Sequence, residues 1–379
     1  MDYSKNSAEF IGAGDLHRQP WIKNESSDPI DDLTFPGHPA RYIAGEGLIA
    51  AVNTALLLEK PLLLTGNPGT GKSELAERVA WEFGLGPVLR FEAQSLSEAS
   101  DLFYRFDLVG RMAAAQLASL REPRQEKIDG DFSVDLDKAH PLHFIESGPL
   151  GKAIFRANVT GPTQASSDAR NYYRKLRSNT LSRHDKTPLQ PRRSVVLIDE
   201  IDKASRDFPN DLLDSIERME FKIRELDDLL IRAPERGLDL HPIVIITSNL
   251  ERDLPPPFLR RCVFHHILDP TREEMQKIVQ ARVFPDRGQP GEAELPRFYR
   301  ELLDFFYDYV EENPDQHSYR PGTSELLDVS QALRRRKVDE TAQLRRDARE
   351  LRDVAGTIAK QRDDLDRLIK FLGPPKPAG

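Results

Sequence analysis

Short, continuous apolar runs punctuate the first two thirds of the chain: Pro61–Thr65 (PLLLT), Pro87–Phe91, Ser194–Asp199 (SVVLID) and Pro242–Thr247 (PIVIIT), with a fifth at Val263–Leu268. Runs of this length without alternation predict strands buried on both faces, which belong to a parallel sheet covered by helices. Helical length and composition at Leu48–Leu58 and Ser73–Phe83 supply covering elements. After Asp269-Pro270 the strand pattern stops, and Thr271–Val283, Glu294–Glu312 and Thr323–Arg336 predict a smaller unit made of helices alone. In the charged tail, Val338–Leu372, apolar positions fall at 344, 348, 351, 355, 358, 365, 369 and 372. These alternating steps of four and three predict an amphipathic helix or a short coiled coil, interrupted where Arg362 takes an apolar place. Packing onto the chain's own helical unit is its expected use.

The expected organisation is a polar N-terminal arm at 1–35, an α/β core at 36–270, an α-helical lid at 271–336 and a charged helix with tail at 337–379. Folded structure is expected to begin near Tyr42. About a hundred residues separate the second and third strands, more than one crossover helix requires, so an insertion occupies about 105–193. Within this region Leu96–Leu120 reads as helix and His143–Phe155 as ordered. Residues 156–194 hold nine Lys or Arg against two Asp, with Tyr172 and Tyr173 among them. Two readings stay open: a nucleic-acid groove with tyrosine stacking, or a solvated loop rich in Ser, Asn, Thr and Pro, which the composition favours.

Charge and cysteine content narrow the classes. A net charge of −8 argues against nonspecific nucleic-acid binding by the chain as a whole. The one cysteine, Cys262, forms no disulfide within the chain, and the N-terminus lacks the basic and apolar regions of a secretory signal, so a cytoplasmic setting is expected. The longest apolar stretch, Leu48 to Leu64, is broken by Asn53, Glu59 and Lys60, which predicts no membrane insertion.

Chemistry is written between the first strand and the second helix. Gly66-Asn67-Pro68-Gly69-Thr70-Gly71-Lys72-Ser73 fits G-x-x-x-x-G-K-[ST] at every fixed position. Glycines let successive backbone N–H groups turn inward, and the following helix adds its positive dipole end, a nest for phosphate. Lys72 is expected to reach the β- and γ-phosphates, and the Ser73 hydroxyl to ligate Mg²⁺. The third strand delivers Asp199 and Glu200 to its carboxyl end, where ligands of open α/β sheets bind. Asp199 is the candidate for holding Mg²⁺, and Glu200 for polarising the attacking water. Asn249, closing the fourth strand, is the candidate for orienting that water. Arg260 and Arg261 precede the fifth strand and can stabilise charge on a transferring phosphoryl group, including one bound to a neighbouring subunit.

The order of these parts resembles the AAA+ ATPases, and TGNPGTGKSELAERVA, VVLIDEIDKASRDFPNDLLDSIERMEFKIREL, VIITSNLERDLPPPFLRRC and YRPGTSELLD look like motifs of their MoxR-like branch. The resemblance spans about Tyr42 to Leu333. It implies an α/β P-loop NTPase core with a helical insertion, followed by a small all-α lid and a charged C-terminal helix. It also implies a ring, usually a hexamer, with ATP between subunits. By matching motif, Lys72 and Ser73 stand at Walker A, Asp199 and Glu200 at Walker B, and Asn249 at sensor 1. Arg261 matches the trans-acting arginine finger better than Arg260, and Arg320 is the candidate for sensor 2. Glu220–Leu226 and the residues before His241 resemble the hairpin inserted ahead of the sensor 1 strand, and in such rings that hairpin and the long insertion tend to face the pore.

The resemblance implies a bacterial, chaperone-like ATPase that remodels a separate protein partner, in many relatives one bearing a von Willebrand A domain. Two alternatives stand beside it. One is a nucleic-acid-dependent motor similar to the restriction-linked AAA+ GTPases, which the basic 156–194 segment would serve. The other is a slowly turning nucleotide-controlled scaffold, for which Glu200 and the two arginines would be superfluous.

Overall fold

The computed structural model describes residues 9–12, 37–119, 139–158, 160–161, 166–182, 191–234, 240–287, 294–312, 317–341, 343–344 and 349–373. The chain divides into two compact units, one of residues 1–53, 64–84 and 265–379, the other of residues 54–63 and 85–264. Most of the expected N-terminal arm, the stretches 183–190 and 235–239, and position 348 of the tail lie outside the described residues.

In chain order the elements begin with α1 (Glu46–Leu58), β1 (Leu62–Gly66), α2 (Lys72–Glu82), β2 (Leu89–Glu92) and β3 (Tyr104–Phe106). The insertion adds α3 (Leu108–Ser119), β4 (Ile145–Ser147), α4 (Pro149–Ala157) and α5 (Ser167–Ser182). Then come β5 (Val195–Asp199), α6 (Phe208–Asp211), α7 (Leu213–Arg218), β6 (Glu220–Ile223), β7 (Leu229–Arg232), β8 (Ile243–Ser248), α8 (Pro256–Leu259) and β9 (Val263–Ile267). The remainder is helical: α9 (Arg272–Val283), α10 (Arg297–Glu312), α11 (Thr323–Arg335), α12 (Arg349–Asp353), α13 (Ala355–Ile358) and α14 (Arg362–Leu372).

The five expected strands form one parallel sheet in the order β2-β5-β8-β1-β9. Leu89 aligns with Val196 in the β2/β5 pair, and Val195 with Ile243 in the β5/β8 pair. Strands β1 and β8 are buried along their whole length, as their unbroken apolar sequence requires. A second pair, β3 with β4, is antiparallel, as is the β6/β7 hairpin, which sits where the hairpin ahead of β8 was expected. Its turn is made by Asp227 and Asp228, both at positive φ, a conformation aspartate tolerates better than most residues.

Three expectations change. Leu96–Leu120 is not one helix: a short 3-10 turn at Ala99–Leu102 and β3 precede α3, because Leu102 and Phe103 are drawn into the core. Residues 156–194 are not simply a solvated loop either. Within them α5 packs onto α4, burying Tyr173 and Leu176, while the Tyr173 hydroxyl donates to the Asn158 carbonyl at 2.7 Å and Arg177 Nε donates to the Phe155 carbonyl at 3.0 Å. Tyr173 is therefore a core residue and offers no stacking face. The tail, finally, is three short helices rather than one. Leu351, Val354, Ala355, Ile358, Leu368 and Leu372 join the core formed by α9, α10 and α11. Folding back onto that core buries more apolar surface than a straight helix could bring to it.

Residues 9–12 also belong to folded structure, well before Tyr42. Phe10 is buried, and its backbone N–H and C=O are both matched by the Asn53 amide, at 2.8 and 3.0 Å. Glu82, at the end of α2, accepts from the N–H groups of Ile11 (2.5 Å) and Gly12 (3.1 Å) and is paired with Arg78 one turn earlier. Arg78 in turn donates to the Ala40 carbonyl at 3.2 Å. A buried ion pair offsets its desolvation only when its remaining groups are hydrogen-bonded, and two N-terminal segments supply those bonds here.

Candidate active site

The phosphate loop joins β1 to α2, and its geometry explains its glycines. Gly66, Gly69 and Gly71 all have positive φ, at 146°, 80° and 83°. A Cβ on Gly66 would come within 2.5 Å of the Ile267 carbonyl oxygen, and one on Gly69 within 2.5 Å of Ser324 Oγ. Side chains are excluded from the two positions by both torsion and space. Thr70 closes the loop by donating to the Asn67 carbonyl at 2.8 Å, and the Asn67 amide donates to Asp269 at 2.9 Å. The Lys72 ammonium lies folded within the loop, donating to the carbonyls of Gly66 (2.8 Å) and Asn67 (2.9 Å). Ser73 follows in the first turn of α2, half-buried. Tyr42 packs beside Gly71, its hydroxyl held protonated by burial. A loop open only to glycine at its turning positions, a lysine anchored by exchangeable hydrogen bonds and a helix N-terminus fit a polyphosphate carrying Mg²⁺.

The acidic strand end is built from side chains. Asp199 ends β5 and accepts from the Thr247 hydroxyl on β8 at 2.5 Å. The same hydroxyl oxygen accepts from the Glu200 N–H at 2.9 Å, so one buried threonine holds both carboxylate residues. Glu200 adopts the left-handed conformation, φ 54°, which a non-glycine residue holds only where its neighbours impose it. Its carboxylate accepts from the Asn249 amide at 3.0 Å through one oxygen and pairs with Lys203 through the other. Asp202 is buried and accepts from the N–H groups of Asn249 and Glu251, at 3.1 and 2.9 Å, fixing the turn that carries Asn249. Sequence reasoning brought Asp199, Glu200 and Asn249 forward but left out Thr247, Asp202 and Lys203. All three stand within the same strings; parallel pairing of β5 with β8 brings Thr247 and the Asn249 turn to Asp199, Glu200 and Asp202, while Lys203 reaches Glu200 locally, three residues on.

The arginines separate. Arg261 donates through Nε to Glu217 at 2.7 Å, and that contact holds the Glu217 carboxyl below its ordinary range. Arg260 is exposed and makes no side-chain hydrogen bond or ion pair with another described residue. Burial pushes the neighbouring Cys262 thiol up to about 12, which leaves it a packing residue rather than a nucleophile. Arg320 is exposed, just ahead of α11. The Ser324 hydroxyl beside Gly69 belongs to the first turn of that helix.

Among the described residues no helix is long and apolar enough to cross a membrane, and no cluster of His, Cys, Asp and Glu forms a metal site of protein ligands alone. Comparison with curated proteins returns no match. Residues 62–270, more than half of the 379-residue chain, match the profile of the "ATPase family associated with various cellular activities (AAA)". With a phosphate loop on β1, paired carboxylates at the end of β5 and a parallel five-stranded sheet, the chain belongs to the AAA family of ATPases, a membership that carries ATP binding and hydrolysis as its general activity.

Proposed function

We propose that this chain is a ring-forming, MoxR-like AAA+ ATPase that uses Mg²⁺-dependent hydrolysis of ATP to remodel or activate a separate protein partner. The observation that carries the hydrolytic part is the 3.0 Å contact from the Asn249 amide to the Glu200 carboxylate, at the ends of two adjacent parallel strands. One Glu200 oxygen is held by this neutral amide and the other by the exposed, exchangeable Lys203 pair, so a water can take the place of the lysine and give its proton to that oxygen. In this reading Lys72 leaves its loop carbonyls for the β- and γ-phosphates, Ser73 and Asp199 hold the ion, and Glu200 takes the proton of the attacking water. Bound Mg²⁺·ATP supplies the electrophilic phosphorus and the charge-neutralising ion. Asn249 orients the water, and Arg261, with Arg260 beside it, stabilises charge on the nucleotide of a neighbouring subunit. The Arg261–Glu217 pair is exposed and exchangeable, which leaves the guanidinium available to a partner. Arg320 is the sensor 2 candidate.

A protein client is favoured over nucleic acid. The chain is acidic overall, and of the two tyrosines of α5 that could have stacked on a base, Tyr173 is buried and Tyr172 is half-buried against the His140 ring. Steady-state hydrolysis of ATP and GTP across a protein concentration series, with and without single-stranded and duplex DNA, tests this. Turnover per subunit is expected to rise with concentration, because an isolated subunit lacking its neighbour's arginine should be slower by on the order of 10³-fold. Rates independent of concentration would remove the trans-acting role of Arg261. Rates switched on by DNA, or confined to GTP, would replace the protein-remodelling reading with a nucleic-acid motor.

A further inference from the structure

The C-terminal helix α14 carries a carboxylate that no nucleotide motif accounts for. Asp364 is almost completely buried, 1% exposed, and its two oxygens accept from the backbone N–H groups of Ser318 (3.1 Å) and Tyr319 (2.9 Å). Arg367, one turn on, donates to it at 3.2 Å, and the Tyr309 hydroxyl donates to the Asp364 carbonyl at 3.1 Å. His317 lies beside it, its Nδ1 3.9 Å away and its ring edge-on to Tyr309. A buried carboxylate is costly unless satisfied this fully, so the segment 317–319 is held in one place.

That segment leads directly to the phosphate loop. The Tyr319 hydroxyl donates to Glu325 Oε1 at 3.2 Å. The other oxygen of Glu325 accepts from the Gly322 N–H at 2.9 Å and from the Ser324 hydroxyl at 3.0 Å, organising the first turn of α11. Ser324 Oγ is the atom that leaves no room for a Cβ on Gly69, and Gly322 faces the Pro68 carbonyl. An unbroken series of hydrogen bonds and close contacts therefore runs from α14 to Pro68–Gly69.

We propose that Asp364 is a positioning residue for the nucleotide site, acting through Tyr319, Glu325 and Ser324 to set the phosphate loop. The C-terminal tail is then a working part of the ATPase. The inference deepens the reading of Gly66–Ser73 as the ATP-binding loop and rests on it.

The test uses the full chain and two variants that preserve shape, Asp364→Asn and Tyr319→Phe, with their double. Amide hydrogen exchange of the nucleotide-free protein is followed by peptide, and affinity is measured with a fluorescent ATP analogue and Mg²⁺. Each single variant is expected to speed exchange at 66–71 and 318–326 and to weaken binding by about threefold to tenfold, within the range that coupling residues produce. The double variant should lose no more than the worse single one, because both cut the same series. Unchanged exchange at 66–71 with unchanged affinity would overturn the proposal, as would losses that multiply in the double variant. A general loss of lid stability with wild-type affinity would also overturn it, by showing a merely structural role. Failure of the underlying reading has its own signature: a wild-type chain that binds the analogue no better than Lys72→Ala overturns the nucleotide role whatever the exchange shows.

Discussion

The phosphate loop and the acidic strand end solve the same problem, holding polar groups ready for a charged ligand, with different materials. The loop is a backbone device whose bonds are mostly local: Gly66, Gly69 and Gly71 take torsions other residues avoid, Lys72 and Thr70 bond to carbonyls only a few positions away, and the Asn67 side chain reaches a distant partner, Asp269. The acidic end is a side-chain device whose bonds reach across some fifty residues of sequence, from Asp199, Glu200 and Asp202 to Thr247, Asn249 and Glu251. A local backbone device leaves a fixed spacing in the sequence, whereas a distributed side-chain device leaves residue types whose meaning depends on strand register.

Substitutions that separate binding from turnover probe this contrast most strongly. Glu200→Gln keeps an acceptor for Asn249 but removes the base, so turnover should fall by about 10²- to 10⁴-fold with ATP affinity retained. Lys72→Ala should instead lose affinity itself, and parallel titration and turnover assays distinguish the two. An active Glu200→Gln protein would mean that another group positions the water and would dissolve the assignment of the acidic end. Within the loop, Gly69→Ala forces a Cβ against Ser324 and an L-residue into a left-handed torsion costing about 1–2 kcal/mol. Affinity for ATP should drop by about tenfold, measured by the same titration, while the Glu200 side of the chemistry is untouched. The smallest expected change in chemistry comes from Thr247→Val, which keeps shape but removes the hydroxyl shared by Asp199 and Glu200. Thermal denaturation should report a loss of about 1–3 kcal/mol. Turnover should fall with affinity near wild type, and a variant with wild-type turnover would show that the threonine only supports the strand.

Legibility in the sequence follows the same division elsewhere. The central strands β1, β5 and β8 were visible as apolar runs because they are covered on both faces, whereas β2 and β9, expected to be buried likewise, lie at the sheet edges and are partly exposed. All five observed ends fall within a residue or two of the reading. Helix α9 starts where it was read, and the reciprocal capping bonds of Thr271 and Glu274 that begin it are local. By contrast, α5 was hidden beneath its basic residues. Its buried face is narrow, and only docking onto α4 reveals that Tyr173, Leu176 and Arg177 point inward. The tail shows the same limit, for its four-three spacing is real, yet α12, α13 and α14 wrap a core already formed by α10 and α11 instead of continuing straight.

By itself, the sequence determined the α/β class, the five strands and the spacing of the phosphate loop, because each depends on periodicity or on bonds between near neighbours, and it brought Asp199, Glu200 and Asn249 forward only as candidates at strand ends. Only the tertiary structure decided that Thr247 unites the two carboxylate residues, that Phe10 belongs to the core, that Arg261 is paired with Glu217 while Arg260 pairs with no other described residue, and that Asp364 holds the segment leading to α11. Those outcomes turn on which distant groups meet when apolar faces are buried, and a buried polar group is stabilised only by the partner that folding brings to it.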